Sequence, residues 1–349
     1  MQKIEKAAIV IGYGSIGKRH ASILNELVPR LSVVDSNESA RAQAAENYPD
    51  ALVFENLDTA FQASEIDWSK AVAVIATWGP SHAELFNRLA EKGVKRVLCE
   101  KPLASSVQLA QSMCQRAERE GISLSVNHYI RYSNLAEELE KFCAEYNLGS
   151  PVSMVVDGGA ACLVTNGIHW IDFAIRLFGS GPEFVLSTAR GESINPRSRD
   201  LEFFGGSAIW SFPQNREAIF SMSNRSSISL RCRVHYRNAT VELSDDLRTK
   251  IFRRDKDMVE RFPAITRTGP ASDLLYDGFL PGVADFMGSM RAALVELLSS
   301  KASLGCSGNV GAVSVSAVVG ALTSGRERQP VELPIASESI RGQKAWPIS

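Results

Sequence analysis

The stretch Ile9–Lys18 reads IVIGYGSIGK, an apolar run that turns sharply into GYGSIG. It constrains the fold more than any other part of the chain. Ala7–Ile11 supplies a strand and Ile16–Leu27 a helix, so the glycines sit at a strand-to-helix turn. In that context Gly12 allows the tight turn, Gly14 lets backbone approach a pyrophosphate, and Gly17 lets the helix pack closely on the sheet. The backbone around Tyr13, Ser15 and Ile16 completes a cradle at the positive end of the helix. A second strand, Leu31–Val34, ends in Asp35, eighteen residues after Gly17. That is close to the spacing of an acid that binds an adenosine ribose 2′-OH. The plain alternative is a glycine-rich turn with no ligand, which the strand, helix and acid together make less economical. A carboxylate accepts from a free 2′-OH and repels a 2′-phosphate, so Asp35 favours NAD over NADP. Ser36, Asn37 and Arg41 follow closely and leave room for NADP.

Composition adds exclusions. The chain has 349 residues, a formal net charge of −1 and 22% charged residues. Two domains are the default at this length. No basic excess exists to neutralise a nucleic-acid backbone, and no polybasic run adjoins an apolar anchor. Six cysteines lie far apart with no CxxC pair, which indicates neither a metal site nor a disulfide framework and suits a reducing cytoplasm. The N-terminal segment is too short for a signal peptide's apolar core, and the small-residue run Val310–Leu322 too short for a bilayer, so a soluble protein is expected.

Strands and helices alternate up to about residue 128. Strands are expected at Ala51–Phe54, Ala71–Ala76, Arg96–Cys99 and Ile122–Val126, and helices at Ser39–Asn47, Leu57–Ala63, Pro80–Lys92 and Ser106–Glu120. Near-continuous apolar strands between amphipathic helices mean a parallel sheet covered on both faces, an α/β doubly wound Rossmann domain over residues 1–128. Beyond Gly149 strand-like runs follow one another: Val152–Val156, Phe184–Thr188, Ser207–Phe212, Ala218–Met222, Ile228–Tyr236 and Thr240–Leu243. With helices at Ile168–Phe178, Phe279–Leu298 and Asn309–Leu322 covering one face, residues 129–349 read as an α+β domain with a mostly antiparallel open sheet.

Two further segments, Cys99-Glu100-Lys101-Pro102-Leu103-Ala104 and Asn166-Gly167-Ile168-His169-Trp170-Ile171-Asp172, complete a pattern. With the glycine turn, the ATWGPSHAEL stretch, Arg131 and the closing Val331-Glu332-Leu333-Pro334, the chain resembles the glucose-fructose oxidoreductase, inositol dehydrogenase and MocA family of NAD(P)-dependent oxidoreductases. The resemblance implies that Lys101 is the catalytic lysine and that Glu100 helps fix it and the cofactor. It implies further cofactor contacts at Thr77, Trp78, His82 and Asn127, and a substrate pocket including Arg131, Thr165, Asn166, His169 and Asp172. It also implies a homo-oligomer, dimer or tetramer, formed through the second domain's sheet.

The chemistry asks for such residues. Oxidising a secondary alcohol needs a base for the hydroxyl proton while hydride leaves the carbon for a nicotinamide. Lys101 lies just past a strand end, where the crevice of such a sheet opens, and burial beside a cationic nicotinamide would lower its pKa. The bland reading of Glu100 and Lys101 is a solvated loop pair. On the helix from Ile168, an apolar stripe of Ile168, Ile171, Ile175 and Phe178 leaves His169 and Asp172 neighbours on a different side. Asp172 would then orient the imidazole as a second proton acceptor, or simply cap a helix-start histidine. The family pattern carries an acid four residues before this histidine, where this chain has Thr165. A threonine cannot hold a negative charge there, and neither it nor Asn166 can serve as a base.

One more strand offers an alternative. Ser229, Arg231, Arg233, His235 and Arg237 alternate with Leu230, Cys232, Val234 and Tyr236, giving a cationic face and an apolar one. It suits a solvated or subunit-facing surface, or a phosphate-bearing substrate such as a nucleotide sugar. Three function classes follow: a dehydrogenase or reductase of a sugar, cyclitol or sugar nucleotide; an enzyme that retains and recycles NAD in internal redox or glycoside cleavage; and a non-catalytic ligand sensor.

Overall fold

The computed structural model describes residues 7–159, 161–192, 201–223, 225–254, 272–299 and 305–348. They form two compact units. One gathers Met1–Tyr132, Met287–Ser316 and Ala336–Ser349, the other Ser133–Phe286 and Ala317–Ile335.

In the first unit, β1 (Ala7–Ile11), β2 (Arg30–Val34), β3 (Leu52–Phe54), β4 (Val72–Ile75), β5 (Arg96–Cys99) and β6 (Ser123–Val126) make a sheet in the order β3-β2-β1-β4-β5-β6. Every pairing in it is parallel. The strands are mostly apolar because both faces are covered: Val10, Val33, Val72, Val74 and Leu98 are fully buried. Connecting helices are α1 (Ser15–Leu27), α2 (Glu38–Asn47), α3 (Leu57–Phe61), α4 (Gly79–Glu91) and α5 (Val107–Glu120). Their ends follow from capping chemistry. The Asn37 side chain accepts the Ala40 N–H, the Ser106 hydroxyl accepts the Leu109 N–H, and α5 stops where Gly121 takes φ 63°. Build-up of the sheet reverses direction between β1 and β4, so the crevice for a ligand opens above their C-terminal ends.

The sequence leads one to expect a single boundary after residue 128, whereas the chain path is interleaved. After the short helix α6 (Tyr129–Tyr132) it leaves the first unit and later returns. The Val126 N–H donates to the Cys306 carbonyl at 2.9 Å, and Ser125 pairs with Ser307 as an isolated bridge. Gly311 is required here, since a Cβ would meet Val126 at 2.4 Å.

The second unit begins with α7 (Leu135–Glu145) and carries ten strands. These are β7 (Pro151–Gly159), β8 (Phe184–Ser187), β9 (Arg190–Glu192), β10 (Phe203–Phe212), β11 (Arg216–Ser223), β12 (Arg231–Tyr236), β13 (Ala239–Ser244), β14 (Thr249–Arg254), β15 (Ser272–Gly278) and β16 (Val331–Glu332). Their order is β15-β14-β13-β12-β7-β11-β10-β8-β16, with β9 on β10. All pairings are antiparallel except β7 with β11. One face is covered by α8 (Gly167–Phe178) and by the latter part of a long helix whose Ala317 carbonyl accepts the buried Trp210 indole N–H at 3.0 Å. The opposite face leaves Leu186, Ile209, Arg231 and Arg233 exposed.

Two helices depart from expectation. The segment Phe279–Leu298 is helical only as α9 (Phe286–Leu298), and from Met287 it belongs to the first unit. There the Arg96 guanidinium donates to the Leu297 carbonyl at 2.9 Å. The run expected to be too short for a bilayer is part of α10 (Gly308–Glu327), twenty residues long. Among the described residues it alone is long and apolar enough to cross a membrane, yet 72% of its apolar window is buried inside the protein, as in a core helix.

Candidate active site

The glycine turn is built as a cradle. Gly12 has φ 92°, and a Cβ there would lie 2.8 Å from the Ala76 carbonyl oxygen. At Gly17 a Cβ would fall 1.8 Å from the Gly12 carbonyl oxygen, so the first turn of α1 packs directly on the loop before it. Gly14 differs, since nothing stands within 4 Å of the position its Cβ would take. Gly14 is also the N-cap of α1, with no side chain capping it and no acid in the first turn. The N–H groups at Ser15, Ile16 and Gly17 thus face an opening with the helix's positive end behind them, which fits a pyrophosphate.

Tyr13 lies inside the motif and is tied to the protein on two sides. Its ring is buried, its hydroxyl accepts from Asn47 Nδ2 at 3.0 Å, and its N–H donates to Asp35 Oδ2 at 2.6 Å. Both polar groups are spent within the protein, so Tyr13 shapes the turn. Asp35 also accepts the Asn37 N–H through Oδ1 at 2.8 Å. Each carboxylate oxygen keeps a lone pair for a diol. The Arg41 guanidinium donates to the Asp35 and Ser36 carbonyls at 3.0 and 2.9 Å, which places a cation beside the acid.

Past β4, the Thr77 and Ser81 hydroxyls are 2.7 Å apart and Trp78 is 43% exposed at the N-cap of α4. An exposed indole here is an apolar platform at the rim of the crevice. His82 is wholly buried, with Nδ1 2.9 Å from the Pro102 carbonyl oxygen and Nε2 3.2 Å from that of Thr77. It braces two loops that frame the crevice and presents no free nitrogen to a ligand. Burial holds its pKa below the ordinary histidine value.

Glu100 and Lys101 follow β5 directly. Lys101 is half-buried, and Glu100 is buried against a pair of side chains from opposite sides of the unit. Its Oε1 meets His20 Nε2 at 2.7 Å and accepts from Asn127 Nδ2 at 2.7 Å. Burial pushes the carboxyl pKa up, but the His20 bond, the Lys101 charge and the Asn127 bond outweigh it and hold the pKa below the usual glutamate value. Glu100 and Lys101 are therefore no solvated loop pair. His20 was not legible as a site residue, because its partner lies eighty residues away. Arg131 sits half-buried on α6.

In the second unit, residues 162–167 wind into α8. The Asn166 and Gly167 N–H groups both donate to the Cys162 carbonyl, and Asn166 Oδ1 accepts the Cys162 N–H at 2.9 Å. Asn166 is exposed, Thr165 and His169 half-buried. Asp172, one turn beyond His169, is completely buried. The expected single apolar stripe is too narrow: Trp170, Phe173 and Ala174 are buried as well, while Ile175 is partly exposed. On β12 the alternation holds, with Arg231 and Arg233 exposed and Cys232 and Val234 buried. Arg233 pairs with Glu242 at 3.2 Å and Arg231 lies in register with Asp157, which offsets the positive charge a phosphate would need.

Residues 6–128 match the family model GFO_IDH_MocA, described as an oxidoreductase family with an NAD-binding Rossmann fold. Over those residues the chain is similar to that family. It is 29% identical to the inositol 2-dehydrogenase of Paracoccus denitrificans over 148 residues, 41% of this chain and 42% of that one. With the glucose-6-phosphate 3-dehydrogenase of Bacillus subtilis it shares 30% identity over 209 residues, 52% and 56% of the two chains. Its matches thus span about half the length of these curated relatives or less. The fold extends further. The WlbA dehydrogenase of Bordetella pertussis, solved with NADH and UDP-GlcNAcA, superposes with a TM-score of 0.71 over 96% of this chain and 100% of its own, at 16% identity.

Proposed function

We propose that the chain is an NAD-dependent dehydrogenase or reductase that interconverts a secondary alcohol and a ketone on a sugar, cyclitol or sugar nucleotide. The observation that carries this reading is the opening at Gly14: an uncapped helix N-terminus beside Asp35, in the crevice that Glu100 and Lys101 line. NAD, when bound, supplies the hydride acceptor. The N–H groups from Gly14 to Gly17 would hold its pyrophosphate and Asp35 its adenosine ribose diol. Thr77, Trp78, Glu100 and Asn127 would supply further contacts to it.

Lys101 hydrogen-bonds the reacting hydroxyl and lowers the cost of removing its proton. His169, on α8 of the second unit, is assigned the other proton-handling role, with Asp172 buried one turn further on. Thr165, Asn166 and Arg131 supply hydrogen bonds to a polyhydroxylated substrate. The exposed face of the large sheet, with apolar Leu186 and Ile209 among ion-paired arginines, suits a homo-oligomer, and the ligand set suits a cytoplasmic enzyme.

The test starts with calorimetric titration of NAD and NADH into the full chain, after measuring any nucleotide that co-purifies. Reduced nicotinamide is then followed by absorbance with polyols, aldoses and nucleotide sugars. Binding of NAD and turnover with one of these classes are expected, and Lys101→Ala and His169→Ala should each lower turnover roughly a hundredfold or more. Absence of NAD binding to a folded chain overturns the reading.

A further inference from the structure

We infer that His20 is a positioning residue for Glu100 and Lys101, donating from Nε2 to Glu100 so that the carboxylate is held in place and keeps its negative field on the Lys101 ammonium. The proposal rests on the functional reading of Lys101 given above and deepens it.

The geometry is particular. His20 lies three residues beyond Gly17 on the buried side of α1, with no solvent exposure. Nothing in the glycine turn's own chemistry requires an imidazole there. Its Nε2 is 2.7 Å from Glu100 Oε1, while its Nδ1 is buried and has no hydrogen-bond partner among the described residues. A proton on Nδ1 would therefore lack an acceptor, and a buried donor left unpaired is costly. The tautomer that satisfies the site carries its proton on Nε2 and donates it to the carboxylate.

Asn127 fixes the other side. An ionised carboxylate only accepts, so the Asn127 amide must turn its nitrogen to Glu100, as its 2.7 Å contact has it. Two donors thus converge on one oxygen of a carboxylate whose side chain is 8% exposed. A buried carboxyl without such donors protonates more readily. The remaining titratable groups that feel Glu100 are Lys101 beside it, Cys99 on β5 and His82 on α4. Burial keeps the Cys99 thiol protonated and His82 neutral. Lys101 is left as the cation that the Glu100 charge sustains. By reciprocity, an imidazole twenty residues into the chain sets how readily the lysine gives up its proton.

The test reads Lys101 directly. Full-length protein is trace-labelled with acetic anhydride across pH, and the extent at Lys101 is measured by peptide mass spectrometry. In His20→Leu the donor is gone, the Glu100 carboxylate is no longer held in place beside Lys101, and the labelling midpoint of Lys101 should fall by up to about one pH unit. Glu100→Gln should give the same fall. His20→Gln places an amide N–H near the Nε2 position and should keep the midpoint of the unmodified chain. If His20→Leu does not fold, His20→Asn replaces it with the same expectation, because its amide ends near Nδ1 and stops short of Glu100. An unchanged midpoint in the folded donor-less variant, or in Glu100→Gln, overturns the proposal. The labelling requires neither NAD nor substrate. Loss of NAD binding by the unmodified chain would end the functional reading instead, so the two failures are distinguishable.

Discussion

The backbone N–H of Tyr13 donates to Asp35 Oδ2 at 2.6 Å, joining the glycine turn to the end of β2 across 22 residues. A single carboxylate therefore does two things. It clamps the loop that cradles a pyrophosphate, and it offers its remaining lone pairs to a ribose diol. The Asn37 N–H on Oδ1 holds the carboxylate plane in place for both.

Asp35→Ala should accordingly narrow the preference for NAD over NADP and loosen the turn. Calorimetric titration of both nucleotides checks the first effect, with NAD affinity falling and NADP affinity falling less. Chemical denaturation checks the second, where losing hydrogen bonds to a charged group should cost about 1.5–3 kcal/mol. Tighter binding of NADP than of NAD by the unmodified chain would assign the site to the Arg41 cation instead.

The glycines of the motif should separate by experiment. Gly17→Ala puts a methyl 1.8 Å from the Gly12 carbonyl oxygen, so the chain should lose both stability and NAD binding. Gly14→Ala meets no protein atom within 4 Å and should leave the melting temperature nearly unchanged. It should weaken NAD binding roughly tenfold or more, because the methyl occupies the space a pyrophosphate must enter. A Gly14→Ala chain that binds NAD normally would place the phosphates elsewhere.

How much of this was legible follows from distance along the chain. The glycine turn, Asp35 and the succession of the first six strands along the chain were readable because each signal lies within one strand-turn-helix step. The strand alternation at Arg231–Tyr236 was readable for the same local reason. The burial of the Tyr13 ring and its hydroxyl's bond to Asn47 were not readable, because the spacing of a motif does not say where a side chain goes. β14 and β15 escaped notice since TKIFRR and SDLLYDG owe their extended form to pairing with each other and with β13. The return of α9 to the first unit, and the bonds of His20 and Asn127 to Glu100, are tertiary facts with no sequence period.

His82 makes stability depend on pH in a defined direction. Its folded-state pKa lies below the unfolded value near 6.5, because burial opposes the charged form. Below about pH 6.5 the unfolded chain binds a proton that the folded chain does not, so stability falls as pH falls. Urea unfolding of the unmodified protein between about pH 7 and pH 5 should show this loss, with His82 contributing up to about 1.4 kcal/mol per pH unit. His82→Gln keeps a donor for one carbonyl but cannot titrate, and its profile should be flatter. Equal slopes for the two proteins would mean that His82 protonates freely in the folded state.

Thr165 tests whether the pocket on the second unit was reshaped around its substrate. It is half-buried one helical turn before His169, and the neighbouring Asn166 has its carbonyl oxygen occupied by the Cys162 N–H. The Asn166 NH₂ is what remains to contact a ligand, so this corner offers a hydroxyl and amide donors where a carboxylate would only accept. Thr165→Asp adds a negative charge beside His169, which should raise the histidine pKa and favour the imidazolium, the form that cannot accept a proton. The charge also carries a desolvation cost and loses the hydroxyl. Turnover on the native substrate should therefore fall or stay level, its pH profile should shift upward, and weak activity on simple polyols should increase. Steady-state kinetics across pH with both substrate types provides the check, and a strong rise in native turnover would mean that the chain lacks a proton relay it needs.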